Sequence, residues 1–293
     1  RISAMTRSLL FVPGDSRRKF DHAAASAADA LILDLEDSVA PDQKAAARTQ
    51  VRAMLEHGAP GKQLWVRINA LDSADALSDL ACVIPAAPYG IVLPKCAGRA
   101  DLQRLSNYLD AFEAAAVAAA AGTAAGSTRI LAIVTETAQS LFGLHDYRGA
   151  TLRLWGLSWG GEDLAADVGA LQNRAAGRYT EPFRLARSLC LMAAAAAGVR
   201  AVDTVCIELD APDVLAAEAA EAFRDGFVGK MAIHPRHVDA VNASLTPDES
   251  RQHWARAVIA AFDAHPGAGT LRLDGKMIDR PHLRLARRLL GED

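Results

Sequence analysis

The four cysteines, Cys82, Cys96, Cys190 and Cys206, lie far apart and form neither a C-x-x-C pair nor a zinc-type spacing. That excludes a thiolate metal centre built from sequence neighbours and favours reduced thiols, read as small core residues, in a cytoplasmic protein. An excess of one charge is missing as well: 32 Lys plus Arg stand against 35 Asp plus Glu, a formal charge of −3. There is no general attraction to nucleic acid or anionic lipid, so an anionic ligand must be held by local basic residues. The most apolar stretch, residues 111–134, is interrupted by Glu113, Arg129 and two glycines, which excludes a membrane span. The opening Arg1-Ile2-Ser3-Ala4-Met5 has no apolar signal core, and its first residue suggests a remnant ahead of Met5.

Several catalytic signatures are also missing. No G-x-G-x-x-G turn follows the first apolar run, Ser158 lacks the G-x-S-x-G setting of a hydrolase nucleophile, and His234 and His237 lack the i, i+4 spacing of a helical metal pair. No repeat of solenoid period is evident.

What is present is a chain of 293 residues, 51% apolar and 23% charged, enough for a sizeable globular core. Short apolar runs at 8–12, 30–33, 64–68, 90–93, 129–134, 154–157, 203–207 and 227–233 alternate with Ala- and Leu-rich helical segments such as 101–121 and 182–197. Eight βα units over about 235 residues match an α/β (β/α)8 TIM barrel, with an open doubly wound sheet as the rival. Beyond His234-Pro235 the pattern changes to a helix near 249–264, a turn at Gly267-Ala268-Gly269 and an amphipathic helix at 280–290. The chain therefore divides into a barrel at 1–240 and a C-terminal helical lid extension at 241–293.

Barrel chemistry sits where strands end at their C-terminal face. There the sequence offers Asp34-Leu35-Glu36-Asp37, Arg67-Ile68-Asn69, Pro94-Lys95, Glu136 and Gly160-Gly161-Glu162-Asp163. Glu136 and Asp163 end consecutive units, close enough to share one ion; two carboxylates plus waters suit Mg²⁺, although solvated loop carboxylates fit position alone equally well. Arg67 can grip a carboxylate at the mouth or pair with Glu36 or Asp37. Arg17-Arg18-Lys19 reads either as a phosphate-facing cluster or as a solvated helix face.

These strings, taken together, resemble the citrate lyase beta-subunit-like proteins and the malyl-CoA and citramalyl-CoA lyases, of the HpcH/HpaI aldolase superfamily. The likeness runs from Arg7-Ser8-Leu9-Leu10-Phe11-Val12-Pro13-Gly14 through Asp34-Leu35-Glu36-Asp37-Ser38-Val39, Leu93-Pro94-Lys95, Glu136-Thr137-Ala138 and Gly160-Gly161-Glu162-Asp163 to Ile233-His234-Pro235 and Met277-Ile278-Asp279. The resemblance implies Mg²⁺ ligands at Glu136 and Asp163, an oxo-acid clamp at Arg67, and Glu36 and Asp37 beside them. It implies substrate contacts at Gly161 and Glu162. Coenzyme A contacts follow at Arg17, Arg18, Lys19, Lys230 and His234.

Asp279 becomes the proton-exchanging residue on a lid over the next subunit of a homotrimer, although position alone reads it as the N-cap of the last helix. The implied reaction is cleavage of a 3-hydroxy-3-carboxyacyl-CoA to an acyl-CoA and a 2-oxo acid. The sequence leaves open which group takes the hydroxyl proton, and a metal-bound water oriented by Glu36 or Asp37 is the candidate. Three alternatives stay open: a citryl-cleaving subunit served by an acyl carrier protein, a malyl-CoA thioesterase, and a non-catalytic CoA-binding assembly protein.

Overall fold

Eight parallel strands close into a barrel in the computed structural model, which describes residues 6–119 and 122–292. The remnant expected ahead of Met5 lies outside the described residues, as do the last two positions of the helical segment expected at 101–121. In chain order the strands are β1 (Ser8–Pro13), β2 (Ala30–Asp34), β3 (Gln63–Arg67), β4 (Gly90–Leu93), β5 (Arg129–Ile133), β6 (Leu154–Ser158), β7 (Arg200–Asp203) and β8 (Gly229–Ala232). Each pairs with its sequence neighbour, and β8 closes on β1 through Ser8 and Lys230.

Alternation along the strands sorts side chains into two layers. Leu9, Ile32, Trp65, Val92, Leu131, Val202 and Met231 form the barrel interior. Their neighbours, among them Leu10, Leu31, Val66, Ile91 and Ala201, pack outward under the helices. The floor is filled by Trp65 against Trp155, ring centroids 5.0 Å apart. Gly90 makes room for it, because a Cβ there would come within 2.3 Å of the Trp65 ring.

The outer helices are α1 (Arg17–Ala24), α2 (Lys44–His57), α3 (Ala76–Val83), α4 (Arg99–Ala118), the short α5 (Ala138–Leu141) and α6 (Glu162–Val168), α7 (Glu181–Ala197) and α8 (Pro212–Asp225). Between α6 and α7 a two-residue ladder joins Arg174 and Ala175 to Tyr179 and Arg178. No described helix is long and apolar enough to cross a membrane.

Two expectations need correction. The seventh strand runs over Arg200–Asp203, not 203–207: Gly198, at φ 72°, ends α7 in the left-handed conformation, and the chain enters the sheet two residues later. The barrel also does not end at 240. Helix α9 (Val238–Ser244) continues across that point, with Val241 and Leu245 buried against Cys206 and Leu215, and Asn242 donating to the Ala27 carbonyl. The tail proper begins with α10 (Glu249–Ala264), capped by Asp248, followed by a hairpin of β9 (Thr270–Leu273) and β10 (Lys276–Asp279) and then α11 (Arg280–Leu290). It has its own small core of Ala255, Val258, Phe262, Ile278, Leu283 and Ala286.

Candidate active site

The C-terminal mouth of the barrel gathers charge around two cations. Asp34 and Arg67 are register partners on β2 and β3 and share the inward face. Arg67 donates through Nε to Asp34 Oδ1 at 2.7 Å and through Nη2 to Oδ2 at 2.8 Å. Asp34 also accepts from the Glu36 and Ser38 amides. Burial alone would raise its pKa, but the guanidinium and these donors outweigh burial and hold Asp34 below the usual carboxylate range. The bidentate edge of Arg67 is thereby committed to Asp34, and its Nη1 end faces the mouth, 3.0 Å from Glu36 Oε2 and 3.5 Å from Asp37. Phe11 lies under the guanidinium at 4.8 Å.

Glu36 is held by its own loop. Lys44 Nζ donates to the Leu35 and Glu36 carbonyls and to Asn69 Oδ1, pinning the turn after β2. The Glu36 carboxylate accepts from Lys95 Nζ at 2.6 Å, while its buried Oε2 has no hydrogen-bond donor, Arg67 Nη1 being close but out of line. Burial raises the Glu36 pKa despite the opposing pull of Arg67 and Lys95.

Lys95 is the second cation. It takes a left-handed backbone, φ 52°, directly after β4, which turns its amide towards Glu136 Oε2 at 2.5 Å and its ammonium towards Glu36 and, at 3.4 Å, Asp163. Its pKa is raised by those carboxylates against the lowering effect of burial. Glu136 is 3% exposed. Burial first, then the Asp163 and Glu36 charges, push its pKa up to about 8. Its space exists because residue 160 is glycine, where a Cβ would sit 2.7 Å from Glu136 Cγ.

The structure thus brings Glu136, Asp163, Glu36, Asp37 and Arg67 together. It adds Asp34 and Lys95, to which their place in the sequence assigns no role; the inward parity of Asp34 with Arg67 is the available signal. The donor set is all oxygen, with Glu136 buried and Asp163 at the same mouth, so these residues fit a hard divalent cation such as Mg²⁺. Among the described residues no three His, Cys, Asp or Glu side chains are grouped to hold a metal ion; two carboxylates alone leave the remaining positions of such an ion to water or substrate oxygens.

Elsewhere the outcome is mixed. Arg17, Arg18 and Lys19 are exposed on the first turn of α1, next to the mouth end of β1, with Arg17 paired to Asp21. His234 is half-buried just beyond β8, its Nδ1 accepting from the Arg236 amide. Glu162 accepts through Oε1 from Asn173 Nδ2 at 2.7 Å, and the same Nδ2 lies 3.4 Å from the Gly161 carbonyl.

The assignment of Lys230 to the CoA edge is corrected. Because Met231 points into the barrel, Lys230 points outward into the layer under the helices, fully buried, and donates to Asp203 and the Thr204 carbonyl. Asp279 caps α11 and accepts from His282 Nδ1 at 2.6 Å. The His282 hydrogen bond lowers its pKa.

The sequence matches the HpcH/HpaI aldolase/citrate lyase family over residues 7–235. It is 31% identical over 297 residues to the mitochondrial citramalyl-CoA lyase of Rattus norvegicus, covering 97% of this chain and 85% of that one. It is 34% identical over 293 residues to a (3S)-malyl-CoA thioesterase of Cereibacter sphaeroides, covering 98% and 94%. Among solved structures, the protein CitE from Mycobacterium tuberculosis in complex with magnesium, acetoacetate and coenzyme A superposes with a TM-score of 0.78 at 33% identity, covering 99% of this chain and 98% of that one.

Proposed function

Because the chain belongs to the HpcH/HpaI aldolase/citrate lyase family, we propose that it is a Mg²⁺-dependent carbon–carbon lyase that reversibly splits a 3-hydroxy-3-carboxyacyl-CoA, of the citramalyl-CoA or malyl-CoA type, into acetyl-CoA and a 2-oxo acid. The observation that carries this reading is the mouth itself: Arg67 stands beside the Glu36, Glu136 and Asp163 carboxylates gathered around Lys95. Support comes from the magnesium, acetoacetate and coenzyme A bound in the CitE structure.

Glu136 and Asp163 would hold Mg²⁺, which when bound supplies Lewis-acid polarisation of the reacting oxygens. Arg67, aimed by Asp34, presents its Nη1 end to the oxo-acid carboxylate and fixes its orientation. Glu36 Oε2, buried without a hydrogen-bond donor, would take the hydroxyl proton as the bond breaks. The acyl-CoA carbon exchanges a proton with Asp279 of a neighbouring subunit in a homotrimer, which as a carboxylate would remove it in the condensation direction and, once protonated, would return it in the cleavage direction, the tail closing over the mouth to exclude water. Arg17, Arg18, Lys19 and His234 would receive the CoA portion.

The test is product balance. A panel of synthetic hydroxyacyl-CoA esters, incubated with Mg²⁺, should release oxo acid and acetyl-CoA in equal amounts. Free CoA without oxo acid would instead establish the thioesterase reading, which the name of the Cereibacter relative keeps in view. Turnover only after co-purification with an acyl carrier protein would establish the citrate lyase subunit reading.

A further inference from the structure

The loop that delivers Asp163 is Trp159-Gly160-Gly161-Glu162-Asp163, and two consecutive glycines leave it little stiffness of its own. Gly160 cannot gain a side chain without striking Glu136. Asp163 stands on the first turn of α6, and the loop that leads to it is held where the Gly160 amide donates to Thr135 Oγ1 at 3.1 Å and by two side-chain anchors from the layer outside the barrel.

The first anchor is Trp159, 1% exposed, whose indole Nε1 donates to Asp203 Oδ1 at 2.7 Å. Asp203 is the register partner of Lys230 on β8, and Lys230 Nζ donates to its other oxygen at 2.8 Å, so one buried chain of contacts ties the ends of β6, β7 and β8 together behind the site. Arg187 on α7 adds a contact to Asp203 at 3.4 Å. The second anchor is Asn173, whose Nδ2 donates to Glu162 Oε1 at 2.7 Å and lies 3.4 Å from the Gly161 carbonyl. Tyr179, from the ladder that follows Asn173, packs edge-on against the Trp159 ring with centroids 4.9 Å apart.

We propose that Trp159, Asp203 and Asn173 are positioning residues for the cation centre, setting Mg²⁺ affinity from the layer outside the barrel without touching the ion. The proposal rests on the reading of Asp163 as a metal ligand. It also gives buried Lys230 a role: it holds Asp203 charged and oriented for the indole, where an unpaired buried carboxylate would be costly.

Calorimetric titration of Mg²⁺ into the full-length protein, alongside thermal unfolding, tests it in Trp159→Phe, Asn173→Ala and Asp163→Ala. Trp159→Phe keeps the ring and removes the donor, and Asn173→Ala removes the second anchor. Each should weaken Mg²⁺ binding roughly 10-fold, as loss of an outer contact to a metal site does, with kcat recovering at saturating Mg²⁺. A merely structural role would lower the unfolding temperature and leave Mg²⁺ affinity alone. Wild-type affinity in both anchor variants, with Mg²⁺ binding lost in Asp163→Ala, overturns the proposal and spares the metal reading. Wild-type affinity in Asp163→Ala overturns both. Should Trp159→Phe fail to fold, Asn173→Ala decides alone.

Discussion

Asp34 and Arg67 face each other across adjacent strands with two hydrogen bonds of 2.7 and 2.8 Å, so the guanidinium at the mouth arrives already aimed. Under the proposed function the oxo-acid carboxylate would meet the Nη1 end of Arg67 rather than its bidentate edge. The expected carboxylate partners, Glu36 and Asp37, do contact Arg67, but the residue that fixes its orientation is Asp34.

Asp34→Asn replaces one acceptor oxygen by a donor that repels Arg67, and a hydrogen bond between charged groups contributes about 1.5–3 kcal/mol. The variant should fold and lose about 10- to 100-fold in kcat/KM. Steady-state kinetics of oxo-acid release checks this, and Arg67→Lys should be no better, because an ammonium cannot both pair with Asp34 and reach the substrate.

Asp279→Asn separates chemistry from capping. Asn caps helices as well as Asp, so the unfolding temperature should stay close to that of the wild type, while an amide cannot exchange the proton. Turnover should vanish with CoA-ester binding retained. Mixing these subunits with Glu136→Ala subunits, after dissociation and reassembly, should restore partial activity. Confirmed mixed oligomers as inactive as either parent would contradict a shared site.

At the opposite end of the barrel, Glu113 accepts from Arg153 at 2.9 and 2.7 Å and from the Gly126 and Thr128 amides. Burial would raise its pKa, but these donors prevail and hold it at about 2. A depressed carboxylate pKa contributes stability that is present above its unfolded value near 4.5 and is lost as pH falls towards 2. Glu113→Gln should cost about 3 kcal/mol at pH 7, as breaking a buried pair does, and should flatten the stability profile between those pH values. Urea unfolding across that range measures both effects.

Much of this was legible in the sequence, and the exceptions have physical reasons. Apolar runs located β1 to β6 and β8, because a fully buried parallel strand cannot hide its composition. The expected seventh strand is displaced because β7 is short and opens on the exposed charge of Arg200, while the more apolar 204–207 stretch forms the loop beyond it. The resemblance places Lys230 at the CoA edge, whereas the alternation about Met231 turns it away from the mouth. The role of Lys95 depends on a left-handed backbone after β4, for which a lone lysine gives no pattern.

The cation centre at Glu136 and Asp163 is the claim on which the rest stands, and calorimetric titration of Mg²⁺ into the wild type and Glu136→Ala, with thermal unfolding as the control for fold, measures it directly. The account predicts one Mg²⁺ bound per subunit in the wild type and no measurable binding in a variant that remains folded. Equal Mg²⁺ affinity in the two proteins would contradict it.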